Sequence, residues 1–444
     1  MPSQGTIGDR VRGLRLNRRM SQAQLAGPDL SDSYVSLIES GKRTPTPVVA
    51  RLLAERLGCT TEFLLHGIEP RQRIDTELGL RHAELELRHG DAALAAERFN
   101  EIVKAVGEEN AMLAAQARLG RARSLEEQGR LGQAVEAMER LRAEASAHPE
   151  RLADLPLTIA LSRCYQRAGD RLRARDLGLH ALGQMSRLGV DQGELAVDLA
   201  ATLIEIGEDN PTEIAFLRRV LETNGVPEVL DRSAEIRTLW EASKAAAAGE
   251  DSALAVRLAD DAIAAGRPAR LGLQLARAAM HWARLESCPV AEAEEHVTAA
   301  ARALSVFTAT RGELGESQVI HARVRLRAGD PARAGELATT ALELLGEAPG
   351  TVTAQAHLVL AQVSLGLGAD ATGSLTTARA LLTALEGPLY GANRQAARTW
   401  RELGDLFGQV GARADQTSAY RKALEAAGVR SALAGVTVHA TTPR

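Results

Sequence analysis

Residues 21–45 read SQAQLAGPDLSDSYVSLIESGKRTP, and this stretch decides the fold of the N-terminal region. Ser21 and Gln24 have the spacing of a capping box, in which the serine oxygen takes a backbone N–H and the glutamine reaches back to the cap. A short helix therefore starts at Ser21 and stops at Gly27-Pro28. Ser31 is a second cap and opens a helix over Asp32–Ser40, which Gly41 closes. Upstream, Ile7, Val11 and Leu14 share one helical face; downstream, Pro47–Leu57 reads as another helix. Two short helices joined by a tight turn, with a helix on either side, form a helix-turn-helix.

The second helix divides into two faces. Val35 and Ile38, with Leu25 and Leu30, are expected in a small core. Asp32, Ser33, Ser36 and Leu37 then point the other way, toward a major groove, and Tyr34 in the same turn joins them as a candidate contact. SQAQLA followed by SYVSLIESGKRTP resembles the xenobiotic-response-element (lambda/434 repressor-like) family of DNA-binding domains, over Ile7–Leu65. The resemblance implies that Ser33 hydrogen-bonds a base edge and that Leu37 packs on a thymine methyl. Asp32 either accepts from cytosine N4 or serves as the negative charge at a helix N-terminus. Gln22 is implied to touch phosphate, and Lys42 and Arg43 clamp it by position and charge. Arg15 and Glu39 fall where the family places a semi-buried salt bridge. The turn Gly27–Leu30 is about one residue shorter than the family's, so a slightly different pose of the second helix is expected. One such domain reads few base pairs, and a homodimer on a pseudo-palindromic stretch of double-stranded DNA is the expected form.

Beyond it one pattern recurs: an alanine-rich helix, a glycine-polar turn, and a second helix opening on small residues. The turn glycines are Gly90, Gly129, Gly169, Gly249, Gly329 and Gly411, at intervals of 39, 40, 80, 80 and 82. The longer gaps are doubled periods and place weaker repeats near Gly207 and Gly368. The final unit, with Trp400, Leu403, Gly404, Phe407, Tyr420 and Ala423, resembles a tetratricopeptide repeat. About nine helix pairs fit between Asp75 and Gly428. The expectation is an all-α chain: a five-helix repressor-like helix-turn-helix domain (1–67), a linker (68–74), an α-solenoid of tetratricopeptide-like helix pairs (75–428) and a flexible tail (429–444).

Composition agrees. The 444 residues are too many for one core, aromatics are only 3%, and alanine, leucine, arginine and glutamate favour helix over sheet. The formal charge of −4 hides a basic start: five arginines (Arg10, Arg12, Arg15, Arg18, Arg19) stand against Asp9 between Met1 and Met20. A basic head on an acidic body suits a protein whose head alone meets phosphate. Cys59, Cys164 and Cys288 lack the spacing of a disulfide framework or a zinc site. There is neither a secretion signal nor an apolar run of the ~18 residues that a membrane span needs, so a cytoplasmic location without membrane partners is expected. The ten histidines are dispersed, and HExxH, GxSxG and phosphate-loop motifs are missing. No enzyme activity, metal or cofactor is expected.

If the tetratricopeptide register holds, Arg123, Arg163, Thr202, Lys244, Trp282, Arg323, Gln362 and Asp405 form one row along a concave groove. Four of the eight are basic, which suits a peptide or a small acidic ligand; the competing reading is an ordinary solvated face. The domain order is similar to that of Gram-positive peptide-pheromone receptors, which implies quorum sensing through a bound signalling peptide. The alternative is a regulator without a small ligand, whose repeats serve as a protein-protein scaffold.

Overall fold

The computed structural model describes residues 6–66, 70–106, 111–147, 153–189, 192–206, 210–346, 350–385 and 394–428. These residues are helical and hold no strand. Helices are numbered in chain order: α1 (Ile7–Asn17), α2 (Gln22–Ala26), α3 (Asp32–Glu39), α4 (Pro47–Arg56) and α5 (Thr61–His66) make up the head. They are followed by α6 (Pro70–His89), α7 (Ala92–Ala105), α8 (Ala111–Glu127), α9 (Leu131–Ala147), α10 (Asp154–Ala168) and α11 (Arg171–Leu188). Next come α12 (Glu194–Ile206), α13 (Pro211–Asn224), α14 (Ser233–Ala248), α15 (Ser252–Arg284) and α16 (Val290–Leu304). The chain closes with α17 (Arg311–Arg327), α18 (Pro331–Leu345), α19 (Thr351–Gly366), α20 (Thr372–Ala384), α21 (Arg394–Gln409) and α22 (Arg413–Ala426). Part of the stretch expected as a linker is thus the first turn of α6, because Pro70 sits at the helix start, where its missing N–H costs nothing. The expected tail lies outside the described residues.

Two compact units result: Met1–Cys164 with Arg232–Arg267, and Tyr165–Asp231 with Pro268–Arg444. In the first, α6 buries two faces. Leu80 and Ala83 pack with Ala95, Phe99, Leu113 and Ala117 of α7 and α8. A Cβ on Gly120 of α8 would stand 2.4 Å from the Phe99 ring, so glycine is what lets that ring lie flat on the helix. The other face, Leu78 and Leu85, meets Ile236 and Trp240 of α14 and Ala255, Ala259 and Ala262 of α15. Ser252 donates to Asp75 (3.0 Å) and Arg81 pairs with Asp260 (2.7 Å) across the same seam. His82 Nε2 lies 2.9 Å from Ser243 Oγ, and Ser243 donates its one proton to the Ala255 carbonyl at 2.7 Å. His82 must then be the donor, carrying its proton on Nε2. Burial, with the Arg98 and Lys244 charges, holds that imidazole below its ordinary pKa, which favours the neutral form. One relay thereby joins α6, α14 and α15.

In the second unit the helices pack as antiparallel neighbours. Leu337, Ala338 and Ala341 of α18 share a core with Val319 and Ala322 of α17 and Ala356 and Val359 of α19. Trp400, Leu403 and Phe407 of α21 share another with Leu375 and Leu382 of α20 and Ala419 of α22. Tyr420 covers Gly404, where a Cβ would meet its ring at 2.6 Å. The period breaks at one place. Glu194 and Glu205 of α12 reach Arg270 (3.5 Å) and His281 (3.4 Å) on the C-terminal half of α15, and Arg218 of α13 reaches Glu292 of α16 (3.7 Å). The intervening pair, α14 with the start of α15, instead packs on α6 within the first unit.

Candidate nucleic-acid interface

The two short helices start as their caps dictate. Gln24 N–H donates to Ser21 Oγ (3.1 Å) while Ser21 N–H donates to the Gln24 side chain (2.7 Å). Ser31 Oγ accepts from Tyr34 N–H at 3.1 Å. Between the helices Gly27 takes φ +55°, and Arg56 of α4 donates to the Leu25 carbonyl (3.0 Å) and pairs with Asp29. The shortened turn is therefore clamped by a residue from outside the motif. Val11, Leu25, Val35, Ile38, Leu53, Leu57 and Leu64 make the core, with Leu30 and Tyr34 half-buried on its edge. A Cβ on Gly8 would meet the Ile38 carbonyl oxygen at 2.4 Å, so that glycine brings α1 against α3.

One buried ion pair ties the motif together. Arg15 donates to both oxygens of Glu39, at 2.6 and 3.0 Å, and to the Met20 carbonyl at 2.8 Å. Gln22 donates to the same carboxylate at 2.7 Å. Burial pushes the Glu39 carboxyl up, but the hydrogen bonds from Arg15 and Gln22 and the charges of Arg15 and Arg12 outweigh it, so it stays below the usual carboxylate range. The hydrogen bond to Glu39 likewise raises the Arg15 guanidinium above its ordinary value, against the pull of burial. Gln22 keeps one amide proton uncommitted to Glu39, enough for a phosphate oxygen.

On the outer face of α3, Asp32, Ser33 and Leu37 are exposed and Ser36 is half-exposed. Leu37 keeps 38% of its surface open to solvent. Asp32 accepts from Ser33 N–H at 3.0 Å, the local role that competes with base contact. Gly41, at φ +71°, lets the chain turn so that Lys42 and Arg43 N–H groups both reach the Leu37 carbonyl (3.0 and 3.2 Å). Both side chains extend into solvent beside α3, and the Arg43 guanidinium lies over the Tyr34 ring, 4.9 Å from its centre.

The basic start of the chain is less available than its composition suggests. Arg10 donates to the Leu64 and Leu65 carbonyls (3.0 and 2.8 Å), Arg15 is committed to Glu39, and Arg18 donates to the Gly58 carbonyl (3.3 Å). Three of the five arginines hold the head together, through partners that sequence spacing did not reveal for Arg10 and Arg18.

The row expected along a groove is divided. Arg123, Arg163 and Lys244 belong to the first unit, and Thr202, Trp282, Arg323, Gln362 and Asp405 to the second. Arg123 is half-buried on α8. Arg163 makes a bidentate pair with Glu126 (2.8 and 3.0 Å), and Lys244 pairs with Glu241 (2.9 Å) over the Trp240 ring. Arg323 and Gln362 converge on Glu402, at 2.7 and 3.2 Å. Thr202 is buried and donates to the Asp198 carbonyl, and Asp405 accepts from Tyr420. Trp282 is 4% exposed, so it lies inside the packing, and its indole N–H has no hydrogen-bond partner among the described residues.

Among the described residues no three or more histidine, cysteine or acidic side chains are placed to hold a metal ion, and no helix is long and apolar enough to cross a membrane. Burial, the main cause, pushes the Cys288 thiol up to about 11.

No curated protein matches the chain. Among solved structures, the apo form of the quorum sensor NprR from B. thuringiensis is 11% identical, with a TM-score of 0.46, covering 95% of this chain and 99% of that one. PlcR from Bacillus thuringiensis, solved with a peptide and DNA, is 13% identical, with a TM-score of 0.31 and coverage of 59% and 96%. The apo competence regulator ComR from Streptococcus vestibularis is 13% identical, with a TM-score of 0.21 and coverage of 74% and 98%. Residues 11–64 match the helix-turn-helix family, and the N-terminal segment of this chain is a helix-turn-helix domain of the xenobiotic-response-element type.

Proposed function

We propose that the protein is a cytoplasmic transcriptional regulator that binds a pseudo-palindromic DNA site as a homodimer. The observation that carries the reading is the outer face of α3, with Ser33 and Leu37 exposed, Ser36 half-exposed, and Gln22, Lys42 and Arg43 flanking it. Ser33 and Leu37 read base edges, and the three flanking residues grip phosphate. Asp32 acts mainly at the helix start, through its bond to Ser33 N–H. The helical repeats dimerise the protein and sense a peptide or small-molecule signal, which shifts the equilibrium between two separations of the heads. A second reading, repeats that hold a protein partner without any small ligand, is favoured by one observation. Arg163, Lys244 and Arg323 each already have a carboxylate, so an acidic ligand would have to displace Glu126, Glu241 or Glu402.

The test is recovery of fragmented source DNA on the purified protein at near-physiological salt, beside an Arg43→Ala, Ser33→Ala double variant. A shared two-fold symmetric motif, lost in the variant, is the expected result. Diffuse recovery that is equal in both proteins would overturn the assignment of these residues to sequence reading.

A further inference from the structure

We propose that Tyr34 is a positioning residue for Arg43: its ring holds the guanidinium ready for phosphate before DNA arrives, and it reads no base itself. The inference rests on the DNA-binding reading and extends it to a residue whose place in the first turn of α3 would by itself suggest base contact. Both ends of the contact are anchored. Tyr34 packs on the edge of the head's core, and its N–H is fixed by Ser31. The Arg43 backbone is fixed by the turn at Gly41 and by its N–H bond to the Leu37 carbonyl, five residues back toward α3's centre from Lys42. Between these anchors the guanidinium carbon lies 4.9 Å from the ring centre, within cation–π range. Arg43 makes no ion pair among the described residues, so no carboxylate competes with a phosphate for it.

The geometry leaves the important donors free. A guanidinium that stacks uses its flat face, and its N–H groups radiate from the edge, in the plane that meets phosphate oxygens. An unsupported arginine gives up rotamer freedom when it grips DNA; one already stacked has given up part of it in the free protein. Lys42, its neighbour in the chain, has no ring beneath it among the described residues and binds as a mobile point charge. The two basic residues of the loop therefore differ in kind: one is pre-set and directional, the other is not.

A double-mutant cycle on the full-length protein separates the possibilities, with a mixed-sequence duplex as probe so that base reading contributes little. Tyr34→Leu keeps apolar packing on the core but removes the ring face, and Tyr34→Phe keeps the face. Tyr34→Leu is expected to weaken duplex binding about two- to five-fold, the size of an exposed cation–π contact, with an unchanged melting temperature. The same substitution in an Arg43→Ala background is expected to cost nothing, and Tyr34→Phe is expected to bind as the native protein does. An equal loss from Tyr34→Leu with and without Arg43 would overturn the proposal in favour of a direct contact or a structural role. Absence of any salt-sensitive duplex binding by the native protein would instead overturn the DNA-binding reading on which it stands.

Discussion

Glu39 in the head and Glu213 in the second unit are both buried carboxylates, and the chain treats them in opposite ways. Glu39 receives two bonds from Arg15 and one from Gln22, and its pKa is lowered despite burial. Glu213, at the start of α13, is 1% exposed; among the described residues neither oxygen has a close hydrogen-bond partner, and Arg175 Nε stands 3.5 Å away, at the limit of a weak bond. Burial dominates there and holds its pKa above the ordinary value, against the opposing charge and weak hydrogen bond of Arg175. A buried charge is tolerable where both its oxygens are hydrogen-bonded and its charge is paired, and a burden where they are not. The head has to hold several loops and short helices in one arrangement for a rigid surface to form, and a saturated ion pair does that. A helix pair in a stack is held mainly by its apolar seam and survives one badly placed carboxylate.

The largest effect should come from breaking the saturated site. Glu39→Ala leaves the Arg15 guanidinium buried without its counter-charge, at a cost of about 3–5 kcal/mol. A domain of this size is expected to unfold on that loss, so hydrogen exchange over 7–66 should approach unprotected rates while α17–α22 stay protected. If the head keeps its protection, the pair contributes little and the contrast with Glu213 disappears. The Ser243 relay in the first unit is the intermediate case. Its hydroxyl is fully buried and has both a donor and an acceptor. Ser243→Ala should cost about 1–3 kcal/mol by orphaning His82 Nε2–H, seen as faster exchange in α14. Unchanged exchange there would mean that the apolar seam of Leu78, Leu85, Ile236 and Trp240 is sufficient.

Much of the head was legible in the sequence because its decisive signals are local. The caps at Ser21 and Ser31, the turn at Gly41 and the alternation of Val35 and Ile38 with Ser33 and Leu37 act within one or two helical turns. What was not legible depends on partners far along the chain. Arg10 looked available to DNA, but it caps carbonyls 54 and 55 residues away; nothing near Arg10 announces Leu64 or Leu65. Arg56 and its grip on the turn were missed for the same reason. In the repeats the glycine period located the helix pairs. Gly169 and Gly411 take the left-handed turns expected of them, but after Gly249 the left-handed residue is Glu250 (φ +62°), one position later. A period says that a pair exists and not which surface it packs on, so the seating of α14 and the start of α15 on α6 lay outside its reach. The ion pairs of the groove row were out of reach for a related reason: a register fixes the face of each helix, and the carboxylates that pair with Arg163 and Arg323 come from other helices.

The smallest effect has the opposite sign and sharpens the comparison most. Replacing Glu213 by leucine removes a buried carboxylate held only by the weak, 3.5 Å pairing with Arg175, and leaves Arg175, nearly half exposed, to be solvated by water. Such a swap is expected to be stabilising, by about 1 kcal/mol. Acidity provides the same test without mutation. Glu213 has a raised folded pKa, so its burden is full above that value and vanishes as pH falls to its unfolded value, near 4.3. Glu39 has a lowered folded pKa, so its contribution is intact above about 4.3 and is lost only as pH drops further, through the folded value. Between pH 7 and about 4.5 the second unit should therefore gain stability relative to its Glu213→Leu variant while the head stays unchanged, and below that the head should weaken first. Thermal melts of the native chain and the two variants, Glu213→Leu and Glu39→Gln, at three pH values would show it. If the Glu213→Leu advantage does not shrink on mild acidification, that carboxylate is already satisfied in solution, by water or a shifted Arg175, and the two glutamates differ less than their surroundings imply.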